Sequence, residues 1–102
     1  MSVHLTNALS AVIYAERSAR GMSQSALAAA TGMHKMSISK IERGLPLDIG
    51  VETLSRIGAA MGVKASEMLA LAEQWCKEMA SEPDTNRSGA ELAAVVSLRR
   101  LV

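Results

Sequence analysis

The fold turns on residues 23–43, SQSALAAATGMHKMSISKIER. This stretch divides at Thr31-Gly32-Met33. Before the break, Ser23 stands as N-cap to a short helix on which Leu27, Ala28 and Thr31 share one face. After it, a second helix runs from about His34 to Arg43 with Ile38 and Ile41 inward. Two helices crossing at roughly 90–120° need small residues where they touch and a glycine in the turn. Ala28 supplies the contact, Gly32 the turn, and Met33, Ile38 and Ile41 the buried anchors. Lys35, Met36, Ser37, Ser39 and Lys40 are left outward on the second helix. Two lysines and two hydroxyls, with no acid before Glu42, suit the major groove of a duplex.

The same punctuation recurs on both sides. Gly21, Gly32, Gly44 and Gly62 each follow an apolar stripe of helical spacing, at the place where a left-handed C′ residue ends a helix. Upstream, Leu9, Val12, Ile13 and Glu16 predict a helix capped by Thr6 and ending near Arg20. Downstream, Leu54, Ile57, Gly58 and Met61 mark a fourth helix. A fifth begins near Ala65 and carries Met68, Ala72, Trp75 and Met79 on one side. Residues 81–89, SEPDTNRSG, read as a linker between a domain over 1–80 and a segment over 90–102. In that last segment Ser88 and Glu91 have capping-box spacing, and Arg99 and Arg100 suit a helix C-terminus. A sixth short helix is expected there, with Val95-Val96 leaving a strand open.

Composition agrees with an all-α fold of a single domain. The chain has 102 residues, 49% of them apolar, with 17 alanines and no phenylalanine. The single Cys76 forms no internal disulfide, and with His4 and His34 it makes no zinc-ligand spacing, so no metal or other cofactor is expected. Tyr14 and Trp75 are too few rings for a base-stacking platform of the kind that reads single strands. No apolar run approaches the roughly 18 residues of a membrane span. The start, MSVHLTN, has neither the charge nor the apolar stretch of a leader, which predicts a cytoplasmic protein. Phosphate-binding glycine loops, paired carboxylates in an apolar cleft and nucleophile elbows are all missing from the sequence, so no enzyme is expected.

The net charge of +1 hides an asymmetry. Residues 1–44 carry +3, whereas residues 45–102 carry −2. The basic excess lies in the half that holds the two-helix motif, as a nucleic-acid footprint would.

Residues 5–71 resemble the DNA-binding domain of the Cro/cI (XRE-type) helix-turn-helix family. The resemblance is carried by Ser23-Gln24, Leu27-Ala28, Gly32, Ile38-Ser39 and Ile41-Glu42-Arg43-Gly44. Leu9, Ile13, Arg17 and Gly21 extend it upstream; Glu52-Thr53-Leu54, Ile57, Ala60 and Gly62-Val63 extend it downstream. It implies a five-helix repressor-like domain. By the same resemblance, Ser23 and Gln24 open the second helix where a phosphate is gripped, and Gln24 buttresses a base contact. Lys35 and Met36 fall where base edges are read, Ser37, Ser39 and Lys40 on the same face, and Arg43 where the backbone is touched. Lysine prefers guanine O6/N7, and a methionine can lie on a thymine methyl. Arg17 and Glu42 correspond to a charge pair tying the first helix to the third. Three departures stand out: His34 and Lys64 occupy positions usually given to a capping residue, and the 45–50 loop, LPLDIG, is apolar where relatives place cations. That loop implies either fewer phosphate contacts or packing on a second subunit.

The resemblance implies a bacterial or phage-encoded repressor that occupies a pseudo-palindromic operator as a homodimer. Met68, Leu71, Ala72, Trp75 and Met79 form an apolar stripe that needs a cover, either residues 91–102 or a second subunit, and are expected to make the dimer or partner contact. Two other readings stay open at this point. One is an antitoxin that uses residues 65–102 to hold a toxin while autoregulating its operon. The other is a protein-interaction module that keeps the fold without binding DNA.

Overall fold

A computed structural model of the chain describes residues 5–44 and 49–78. Five α-helices and no strand occur among the described residues: α1 (Leu5–Ala19), α2 (Gln24–Thr31), α3 (Lys35–Glu42), α4 (Val51–Met61) and α5 (Ala65–Glu78). Thr6 lies inside α1 and not at its cap. Its carbonyl instead accepts the Ser10 hydroxyl at 2.9 Å, which satisfies a polar group buried on the helix's inner face. The expected linker, the sixth helix, Met79 and most of the 45–49 loop lie outside the described residues.

Three of the helices end in one way. Gly21, Gly32 and Gly62 have φ of 66°, 72° and 72°. In each case the residue after the glycine donates its N–H to the carbonyl five positions back: Met22 to Arg17 at 3.1 Å, Met33 to Ala28 at 3.0 Å and Val63 to Gly58 at 2.9 Å. A β-carbon is strained in that backbone region, so glycine sets where each helix stops. At Gly58 the need is space. A β-carbon there would strike the Val63 carbonyl oxygen and come within 3.0 Å of the Met68 methyl, so the turn into α5 closes against bare backbone.

The apolar stripes meet in one core. Ile13 and Val12 of α1, Leu27 of α2, Ile38 of α3, Ile57 of α4 and Met68 of α5 are all buried within it. α1 packs most extensively on α5, and α2 lies against α3 and α4. This corrects the expectation for the α5 stripe. Met68, Ala72 and Trp75 belong to the same buried cluster as Leu9, Val12 and Ile13, so α1 is a face they pack against, where residues 91–102 or a second subunit had been expected. Their burial withdraws these three residues from the expected dimer contact; Leu71 stays half-buried. Ile49 likewise packs against the chain's own core. Met33, expected as a buried anchor, is only half-buried at the corner between α2 and α3.

Candidate nucleic-acid interface

α3 is short, and its geometry follows from eight residues. At 100° per residue, Ile38, Ile41 and Glu42 fall on one side, and these three are buried. Met36, Lys40 and Arg43 fall within about 60° of one another on the opposite side. Lys35, Met36, Lys40 and Arg43 are exposed, with Ser37 and Ser39 half-buried on the two flanks. Met36 is 67% exposed, which assigns it to the surface and not to the packing of the corner. The helix's one acid is 3% exposed and faces inward. The outer face of α3 therefore presents cations, hydroxyls and a thioether with no carboxylate among them.

The start of α3 is held by backbone alone. His34 is its N-cap in an extended conformation, but its side chain makes no capping bond; its carbonyl accepts from Ser37 N and Ile38 N at 3.0 and 3.2 Å. α2 starts more firmly. Ser23 Oγ accepts the Ala26 N–H at 3.0 Å, leaving the first backbone N–H groups of α2 without intrahelical partners. Thr31 closes α2 from within, its hydroxyl bonding to the Leu27 and Ala28 carbonyls at 2.9 and 3.1 Å.

A polar network joins the two ends of the motif. Arg17 Nε donates to Glu42 Oε2 at 2.6 Å and Arg17 Nη2 to Glu42 Oε1 at 3.0 Å, a two-pronged pair between α1 and α3. The remaining prong, Nη1, donates to the Met22 carbonyl at 2.6 Å, just before the Ser23 cap. The guanidinium also lies 5.2 Å from the centre of the Tyr14 ring. Its pKa is raised above the ordinary arginine value, first by the hydrogen bond to Glu42, while burial opposes. Gln24 Nε2 completes the set by donating to Glu42 Oε1 at 3.1 Å. Tyr14 and the Met22 carbonyl were not anticipated. Tyr14 was legible as the i−3 neighbour of Arg17, whereas no local signal marks a backbone acceptor.

Cys76 on α5 is a half-buried thiol. Burial pushes the Cys76 thiol up, with Glu73 adding to the effect, so it is the opposite of an activated nucleophile. Among the described residues no group of three or more His, Cys, Asp or Glu is placed to hold a metal, and no helix is long and apolar enough to cross a membrane.

Two short helices about a glycine corner, the second with a bare cationic face, define a helix-turn-helix DNA-binding domain. Residues 13–68, more than half of the chain, match the family model described as helix-turn-helix, and the chain belongs to that family, of the Cro/cI (XRE) type. The family is one of DNA-binding transcriptional regulators and is typically non-enzymatic. No curated protein and no solved structure matches the chain.

Proposed function

We propose that this regulator is a repressor that occupies a pseudo-palindromic operator as a homodimer, with α3 in the major groove. The observation that carries this reading is the carboxylate-free outer face of α3, on which Lys35, Met36, Lys40 and Arg43 are exposed while Glu42 is buried. Lys35 and Met36 would read base edges at the helix start, with Ser37, Ser39 and Lys40 beside them. Arg43, Ser23 and Gln24 would hold the backbone, the last two at a helix N-terminus where an anion is favoured. Repression in this form needs occupancy and no chemistry, and it places the protein in the bacterial or phage-infected cytoplasm.

A single motif of this size has a modest interface, and a second copy on the same duplex raises its effective affinity. Since α1 already takes Met68, Ala72 and Trp75, the second copy would be met by Leu71, Met79 and residues 90–102. Selection from a pool of random duplexes tests the proposal. The enriched sequence is expected to be an inverted repeat with half-site centres about 34 Å, one helical turn, apart. A lone half-site would remove the homodimer, and no enrichment at all would remove the DNA reading.

A further inference from the structure

The pair Arg17–Glu42 has the look of a strut between α1 and α3, but a strut does not need the third bond. Glu42 Oε1 accepts from Arg17 Nη2 at 3.0 Å and from Gln24 Nε2 at 3.1 Å. We propose that Glu42 is a positioning residue for backbone recognition: it holds the Gln24 amide by one N–H, so that the other N–H stands with the first backbone donors of α2 before a DNA phosphate. This rests on the DNA-binding reading above and deepens it.

The chemistry allows one orientation only. An ionised carboxylate accepts and never donates, so the nitrogen of the amide, not its oxygen, must face Glu42. The carboxylate is itself fixed first. Arg17 grips both of its oxygens, and Arg17 is anchored in turn by the Met22 carbonyl. The side chains of Arg17 and Glu42 are only 11% and 4% exposed, so water competes weakly for these bonds. Gln24 is half-buried and is the first residue of α2. The Ser23 hydroxyl takes the N–H of Ala26, so the backbone N–H groups of Gln24 and Ser25 have no intrahelical partner, and in this proposal the second Gln24 amide N–H joins them. A set made mainly of donors at a helix start matches a phosphate, which only accepts. Holding the amide before the duplex arrives spares the ordering of a long side chain on binding.

A double-mutant cycle on the full chain separates positioning from simple support. Glu42→Gln and Gln24→Ala are each expected to weaken binding about five- to tenfold, by the same factor on the selected operator and on an unrelated duplex. Together they should weaken it no more than Gln24→Ala alone, while Glu42→Gln lowers the urea midpoint in both backgrounds. Losses that multiply, a Gln24→Ala variant that binds like the parent, or a loss confined to one base pair would each overturn the proposal. Proton NMR of the parent protein decides the matter even where Glu42→Gln does not fold. Gln24 and Gln74 are the two glutamines, and the Gln74 amide makes an exposed 3.5 Å contact that serves as reference. The Gln24 amide protons are expected to exchange with water at least about tenfold more slowly. Equal exchange would contradict the clamp.

Discussion

Arg17→Ala is expected to lower the unfolding free energy by about 3 kcal/mol. An exposed ion pair would contribute about 0–1 kcal/mol, and the i,i+4 pair of Glu16 with Arg20, at 2.6 Å but with side chains 26% and 37% exposed, belongs to that class. Arg17 and Glu42 differ by being buried. Removing the guanidinium leaves the Glu42 carboxylate, 3% exposed, with Gln24 as its remaining side-chain donor, and leaves the Met22 carbonyl without its 2.6 Å donor. The loss is thus mostly the cost of a stranded charge, not the net strength of the pair. Replacing both partners by methionine should accordingly be milder than Arg17→Ala alone. Because the arginine pKa is raised on folding, its share of the stability is fully present at all pH below the ordinary arginine value and is lost only in strong alkali. A urea melt at neutral pH is the check. A loss below about 1 kcal/mol would place the pair with the exposed ones.

The second large effect concerns binding. Lys35→Ala with Lys40→Ala is expected to weaken operator binding about 100-fold, which is about 2.7 kcal/mol for the two contacts together. Both side chains are exposed, so stability should stay within about 0.5 kcal/mol of the parent. Net charge falls by two in this variant, so a control of equal charge is needed. Lys64→Ala with Lys77→Ala removes two exposed cations from outside α3. Long-range attraction alone would make the pairs equivalent, whereas contact makes the α3 pair much the more damaging. Equilibrium titration of both variants against the selected duplex at one fixed salt concentration decides. Equal losses would return Lys35 and Lys40 to an ordinary solvated face.

Much of this architecture was legible because its determinants are local. Gly21, Gly32, Gly44 and Gly62 all have positive φ, so the residue that ends each helix could be read without knowing what the helix touches. Ser23 and Ala26 are three positions apart, and their bond is likewise local. The inward face of α3 followed from the spacing of Ile38 and Ile41. What the stripe of α5 could not tell was its partner. Amphipathic spacing says which face is buried and is silent on what buries it, so Met68, Ala72 and Trp75 suggested either residues 91–102 or a second subunit, whereas they share one buried cluster with Leu9, Val12 and Ile13 of α1. Thr6 misled for a related reason: a good capping residue is also tolerated inside a helix, where here its carbonyl takes a bond from buried Ser10. The bond from Gln24 to Glu42 spans 18 positions and two helices, beyond any periodic signal. Met36, left outward by the spacing of Ile38 and Ile41, is 67% exposed.

The central claim is that the outer face of α3 enters the wide groove of B-form DNA, and dimethyl sulfate footprinting on the selected duplex tests it most directly. The reagent methylates guanine N7 in the major groove and adenine N3 in the minor groove, so one gel reports both sides. The account predicts protection of guanine N7 in each half-site, lost in the Lys35→Ala, Lys40→Ala variant, with adenine N3 still reactive. Protection of adenine N3 with guanine N7 left open would place the protein in the other groove and contradict it.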